Sequence, residues 1–150
     1  MPCTSTGYIV NGNHWKEQSQ GKITAQTANV FSHAERKAFN GFGNKPGPYL
    51  IVQDAFPCFD HCHQHFLTIS KSTTKPGKKK GETITIPGAS VIIKVTANNT
   101  FDMQSYIDEG LVTFGCFPWY IYYLNGKAAF SMAFPAAPQG FPTHPGPKDV

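Results

Sequence analysis

Charge is scarce in this chain: Asp, Glu, Lys and Arg make up only 15% of its 150 residues, while 40% are hydrophobic. That balance excludes a disordered polypeptide and fits one globular domain with a real core. No apolar run is long enough to span a bilayer, so no membrane partner is expected. The start, "MPCTSTGYIV", lacks a basic segment followed by an apolar one, and no signal peptide is expected. Internal repeats are absent. Cysteines number four, enough for two disulfides. Two of them, Cys58 and Cys62, lie one helical turn apart beside a histidine cluster, which favours metal over a disulfide. Cys3 and Cys116 are left over as small buried or free thiols. What the chain has in quantity is aromatic residues, with 12 Phe, 6 Tyr and 2 Trp. Its net charge is +4, which permits a polyanionic partner without demanding one.

Hydrophobic patterning predicts an α/β chain. "GYIVNGNHW" (7–15) carries an Asn-Gly turn signal, and "KITAQTANV" (22–30) alternates like a strand. The two are read as a weak hairpin. "SHAERKAFNGFG" (32–43) is a helix with Ser32 as N-cap and a glycine at its end. "GPYLIVQDAF" (47–56) is a buried central strand. A second helix is predicted from about Cys58 to Ser72, then a basic loop over 73–82 and a strand over 89–97. A short helix capped by Thr100 (100–110) and a strand over 111–117 follow. Asn125-Gly126 divides 119–134 into a hairpin, and the Pro/Gly-rich residues from 135 are read as an extended or disordered tail. Helices should cover a central mixed sheet.

The segment "FPCFDHCHQHF" (56–66) holds two cysteines and three histidines. Cys58 and Cys62 fall on one face of the predicted helix, near an N-terminus whose dipole favours thiolate. A catalytic zinc needs three protein ligands and an open position. His33, in the first turn of the other helix, is the candidate third ligand. Glu35 has a plainer reading as the end of a Ser32-x-x-Glu35 capping box. His61 competes with Cys62, because Cys58-x-x-His61 keeps a two-residue gap. His61, His63 and His65 are otherwise read as solvated or substrate-facing.

His33-Ala34-Glu35, followed 21 residues later by Pro57-Cys58 and then Cys62, resembles the H-x-E…P-C-x-x-C signature of the zinc-dependent nucleobase and nucleoside deaminases. Three residues separate the cysteines here, where the commonest form has two. The resemblance implies a cytidine-deaminase-like three-layer sandwich with a central mixed five-stranded sheet and helices on both faces. It implies that His33, Cys58 and Cys62 bind zinc and that Glu35, not a ligand, moves protons while a zinc-activated water displaces the ring amino group. Free-nucleoside deaminases usually carry Cys at the position of His33 and Gly at that of Phe59. The chain therefore resembles the nucleic-acid-editing branch, and most of all the cytosine deaminase domains of bacterial polymorphic toxins. Implied with these are DNA as substrate, single strands favoured, deamination of cytosine to uracil, a possible immunity protein and a monomer. So is delivery of the domain as an effector into a target-cell cytoplasm. Lys78, Lys79 and Lys80 are expected to grip phosphates, and Phe31, Trp119 and Tyr120 to stack on bases. Adenine or RNA bases are the alternative substrates. A zinc-stabilised nucleic-acid-binding module without activity, or a binding domain without metal, are the rival classes.

Overall fold

The structure is a computed structural model that describes residues 3–11, 14–23, 33–43, 45, 47–97, 103–111 and 119–131. The chain runs β1 (Cys3–Asn11), β2 (His14–Ile23), α1 (Ala34–Asn40), β3 (Tyr49–Gln53), and a π turn (Phe59–His63) continuing into α2 (Gln64–Ile69). It goes on through β4 (Thr73–Pro76), β5 (Thr83–Ile86), β6 (Val91–Val95), α3 (Met103–Asp108), β7 (Trp119–Leu124) and β8 (Lys127–Ser131). Six strands form one mixed sheet in the order β2-β1-β3-β6-β7-β8, and β4 and β5 form a separate two-stranded ribbon. β3 and β6 pair in parallel, Tyr49 opposite Val91 through Gln53 opposite Val95. A parallel pair needs a long crossover, and α2 lies within it.

Strand alternation sorts the core into two layers. Ile51, Val91, Ile93, Val95, Ile121 and Tyr123 point to one face, where they meet Ala38 and Phe42 from the α1 region, Phe66 of α2 and Tyr106 of α3. Leu50, Ile92 and Tyr122 point to the other, together with Tyr8 and Trp15. Both faces of β3 and β6 are thus covered, which is why "YLIVQ" and "VIIKV" read as apolar runs rather than as alternating ones. The close fit of α1 to the sheet depends on Gly21. A Cβ there would strike the backbone carbonyl of Ala34, the first residue of α1.

Several elements differ from expectation. The sheet has six strands, not five, because Cys3–Asn11 and His14–Ile23 are both long strands. Asn11, the first residue of the Asn-Gly signal, ends β1 opposite His14, so the connection is residues 12–13 and the hairpin partner of β1 is not 22–30. β2 escaped notice because it is an edge strand: Lys16 and Glu17 face solvent and only scattered positions such as Trp15 are buried. The basic loop at 73–82 is part of the β4–β5 ribbon. All three described helices pack on one sheet face. The second helical layer expected on the other is not among the described residues. Of the expected 111–117 strand, Leu111 is an exposed bend and 112–117 lie outside the described residues, as do the Thr100 cap, Cys116 and the 135–150 tail. The Asn125-Gly126 turn forms as read, both residues having positive φ (54° and 78°), as a tight hairpin between β7 and β8 requires. Among the described residues, no helix is long and apolar enough to cross a membrane.

Candidate metal centre

The site forms where β3 ends and two helices begin. After Gln53 the chain leaves the sheet through buried Ala55, Phe56 and Pro57 and reaches Cys58, the extended N-cap of the π turn. Gln53 is itself buried. Its side-chain amide donates to the carbonyl of Ala55 (2.7 Å) and its oxygen accepts from Ser5 Oγ (3.1 Å), which fixes this exit. On the neighbouring helix the N-cap is His33, also extended, one residue after the expected Ser32, which lies outside the described residues. Two helix starts thereby converge at one end of the sheet.

The spacing of the cysteines has a structural counterpart. The segment 59–63 is a π turn, not the α-helix expected, and His63 N–H donates to Cys58 C=O (2.9 Å), an i→i+5 bond. The wider turn absorbs the additional residue between Cys58 and Cys62. Both sulfurs still meet, with Cys62 N–H directed at Cys58 Sγ (3.4 Å).

The ligand atoms of His33, Cys58 and Cys62 all lie within 4.8 Å of one another. His33 Nδ1 is 3.2 Å from Cys62 Sγ. Cys62 Sγ donates to Glu35 Oε1 at 2.8 Å, and the same oxygen is 3.7 Å from His33 Nδ1. Glu35 is buried in this position and stands outside the group of three. Its carboxylate meets the Cys62 thiol from across the site, a role the capping-box reading does not contain. One imidazole and two thiols are a borderline-soft donor set that suits zinc. They are three, and among the described residues no fourth His, Cys, Asp or Glu joins them. His33, Cys58 and Cys62 can therefore hold a metal ion.

Electrostatics separate the two thiols. Cys58 is pulled down to about 5, first by its side-chain interaction with Cys62, against burial, and then by the N–H groups of Cys62 and His61. Cys62 is pushed up first by its side-chain interaction with Cys58, which competes with Glu35 for the single thiol proton, and further by burial and by the Glu35 carboxylate. A metal needs both as thiolates, so its binding must release the Cys62 proton. Burial raises Glu35 above the ordinary carboxylate range, opposed in part by the Cys62 hydrogen bond and by His33.

The other residues singled out in the sequence go elsewhere. His61 is exposed and outside the donor group, and His65 is half-buried against Phe39 and Phe66. His63 is not solvated: it is buried, stacks on Phe59, and its Nδ1 lies 2.7 Å from Tyr123 Oη. Trp119 is a core side chain on the helix-bearing face. Tyr120, next along β7, points to the opposite face and sits under Lys94, so it is not brought to the site. Lys78, Lys79 and Lys80 are exposed at the tip of the ribbon, and Phe31 lies outside the described residues. Cys3 is a buried free thiol, as expected of a leftover cysteine.

The sequence reading missed Tyr106. Its hydroxyl, fully buried, donates to the carbonyl of Pro57 (2.8 Å) immediately before Cys58, while its ring packs edge-on to Phe59 and His63. The signal for it was slight: one aromatic in a helix of six residues. Tyr106→Phe keeps the ring and frees the Pro57 carbonyl. We expect it to retain the fold and to weaken zinc binding about 10-fold or more in a chelator competition, the usual effect of losing an outer partner that orients a ligand.

No family model, no curated protein and no solved structure matches the chain.

Proposed function

We propose that the protein is a zinc-dependent deaminase that converts cytosine to uracil in DNA. The observation that carries this reading is the grouping of His33, Cys58 and Cys62 within 4.8 Å, with buried Glu35 beside them and no fourth donor among the described residues. Zinc held by these three side chains would supply Lewis acidity that makes water a strong nucleophile near neutral pH. Glu35 is placed to take a proton from that region and return it. Its oxygen faces the donor group at hydrogen-bond distance from Cys62, and a carboxylate there can take up and return a proton. Cys58 is the half-buried member of the group, so a substrate approaches from its side.

Further support comes from topology. A helix after the first hairpin, then a parallel β3-α2-β6 unit with both ligand-bearing helix starts at one sheet end, suits the cytidine-deaminase-like arrangement. His33 as first donor and Phe59 after Cys58 favour a base within a polynucleotide over a free nucleoside. Delivery as a bacterial effector, with an immunity protein as partner, belongs to the same proposal. The test is incubation of zinc-loaded protein with single-stranded and duplex oligonucleotides, each containing one C or one A. Uracil at the C is the expected product. Zinc retained, with neither uracil nor inosine in any substrate, would instead indicate a metal-stabilised binding module.

A further inference from the structure

The β4–β5 ribbon has no role in the donor group, yet the segment built around it, residues 71–86, holds the net charge of the whole protein. Residues 71–86 hold five lysines (71, 75, 78, 79 and 80) and one glutamate (Glu82). The chain has thirteen cations and nine anions in all, which leaves eight of each for every other residue together. The net charge of +4 therefore resides in this one segment. All eight strand residues of the ribbon are exposed, so it is a projecting arm and not part of a packed layer.

The arm is built and held. Gly77 N–H donates to Glu82 C=O (2.8 Å) and Glu82 N–H to Lys79 C=O (3.0 Å), which orders the tip that presents Lys78, Lys79 and Lys80. At its base Ala89 N–H donates to Ile69 C=O (2.9 Å), and buried Ser70 accepts from Gly126 N–H of the β7–β8 turn (2.9 Å). The base thus lies at the far end of α2 from Cys62. Seven residues carry the helix from Cys62 to Ile69, which places the base roughly 10 Å from the donor group along the helix.

We infer that this ribbon is a duplex-DNA arm that grips phosphates flanking the target base. The inference rests on the deaminase reading only for the identity of the substrate, which it narrows from DNA to double-stranded DNA. A two-stranded ribbon is of a size to enter the major groove, about 12 Å wide. One face aligns Thr74, Thr85 and Thr83, hydroxyl donors suited to phosphate and sugar oxygens. The other aligns Lys75 with Ile84, and Thr73 with Ile86, an apolar pair of positions for thymine methyls. Residues 71–86 contain no aromatic side chain, so the arm lacks the stacking platforms with which single strands are held. It also lacks the Trp, Tyr and Arg anchors on which protein partners concentrate binding energy.

The test is fluorescence anisotropy with a labelled 20-base-pair duplex and the matching single strand, titrated across salt, on zinc-loaded protein. The triple variant Lys78→Ala, Lys79→Ala, Lys80→Ala should flatten the slope of log K against log salt by about 3, close to one per lysine. A second variant replaces 74–85 with a short glycine-rich turn. It should lose duplex binding and keep its zinc. An unchanged slope in the triple variant, or equal or tighter binding of the single strand by wild type, would overturn the inference. Duplex binding through the arm without any uracil formed would leave the arm standing and remove the deaminase reading.

Discussion

Glu35→Gln is expected to keep one zinc per chain and to lower uracil formation by about 10²–10⁴-fold, the range that one positioned proton carrier supplies. Glutamine has the shape of glutamate and can still meet the Cys62 sulfur, so the donor group should keep its geometry. What it cannot do is pick up and return a proton. The position sharpens the expectation, because Glu35 is only 4% exposed and faces Cys62 and His33 rather than the helix end. Had the carboxylate served only to close α1, its oxygen would have pointed at the N-terminal amides of that helix. Zinc content by elemental analysis and product yield by oligonucleotide cleavage after uracil excision separate the two roles. Wild-type activity in Glu35→Gln would remove Glu35 from the chemistry.

The second large effect is on the metal itself. Cys58→Ser should reduce bound zinc from one equivalent to near zero against a competing chelator and abolish activity with it. Its loss should exceed the about 10–100-fold that an outer partner such as Tyr106 costs. Cys58 is the better choice for this experiment than Cys62. Cys62 is fully buried among Phe66, Tyr106 and Tyr123 in the main core, so its replacement would also disturb packing. Cys58 is half-buried at a helix start, where serine is a good N-cap, so the fold should survive. The thermal shift on adding zinc gives an independent readout. Metal at 100 times its Kd stabilises wild type by about 2.7 kcal/mol, and that gain should vanish in Cys58→Ser. Cys3→Ser, at a buried thiol that is not one of the three donors, should keep the full shift.

How far the sequence announced these features depended on where the physical signal was local. β3 and β6 were legible because a strand covered on both faces is apolar throughout. The Asn125-Gly126 turn was legible because few residue pairs adopt two positive φ values without strain. The grouping of His33 with Cys58 and Cys62 was expected from residue types and spacing, and the convergence of two helix starts places them together. Features set by distant partners were hidden. β2 looks polar because only its tertiary neighbours make it a strand, and the β4–β5 ribbon looked like a loop because it has no buried face. The π turn at 59–63 shares its composition with an α-helix, and its register shows only in the backbone bond from His63 to Cys58. Tyr106 on Pro57, and Ser5 on Gln53, act through hydrogen bonds made between segments far apart in the chain, which no periodicity records.

X-ray absorption at the zinc edge of the loaded wild-type protein tests the central claim most directly. Two sulfur scatterers at about 2.3 Å, one imidazole and one further light atom exchangeable with solvent are predicted, with one sulfur lost in any Cys58→Ser protein that retains metal. A coordination shell closed by four protein side chains, or one with two imidazoles and a single sulfur, would contradict it.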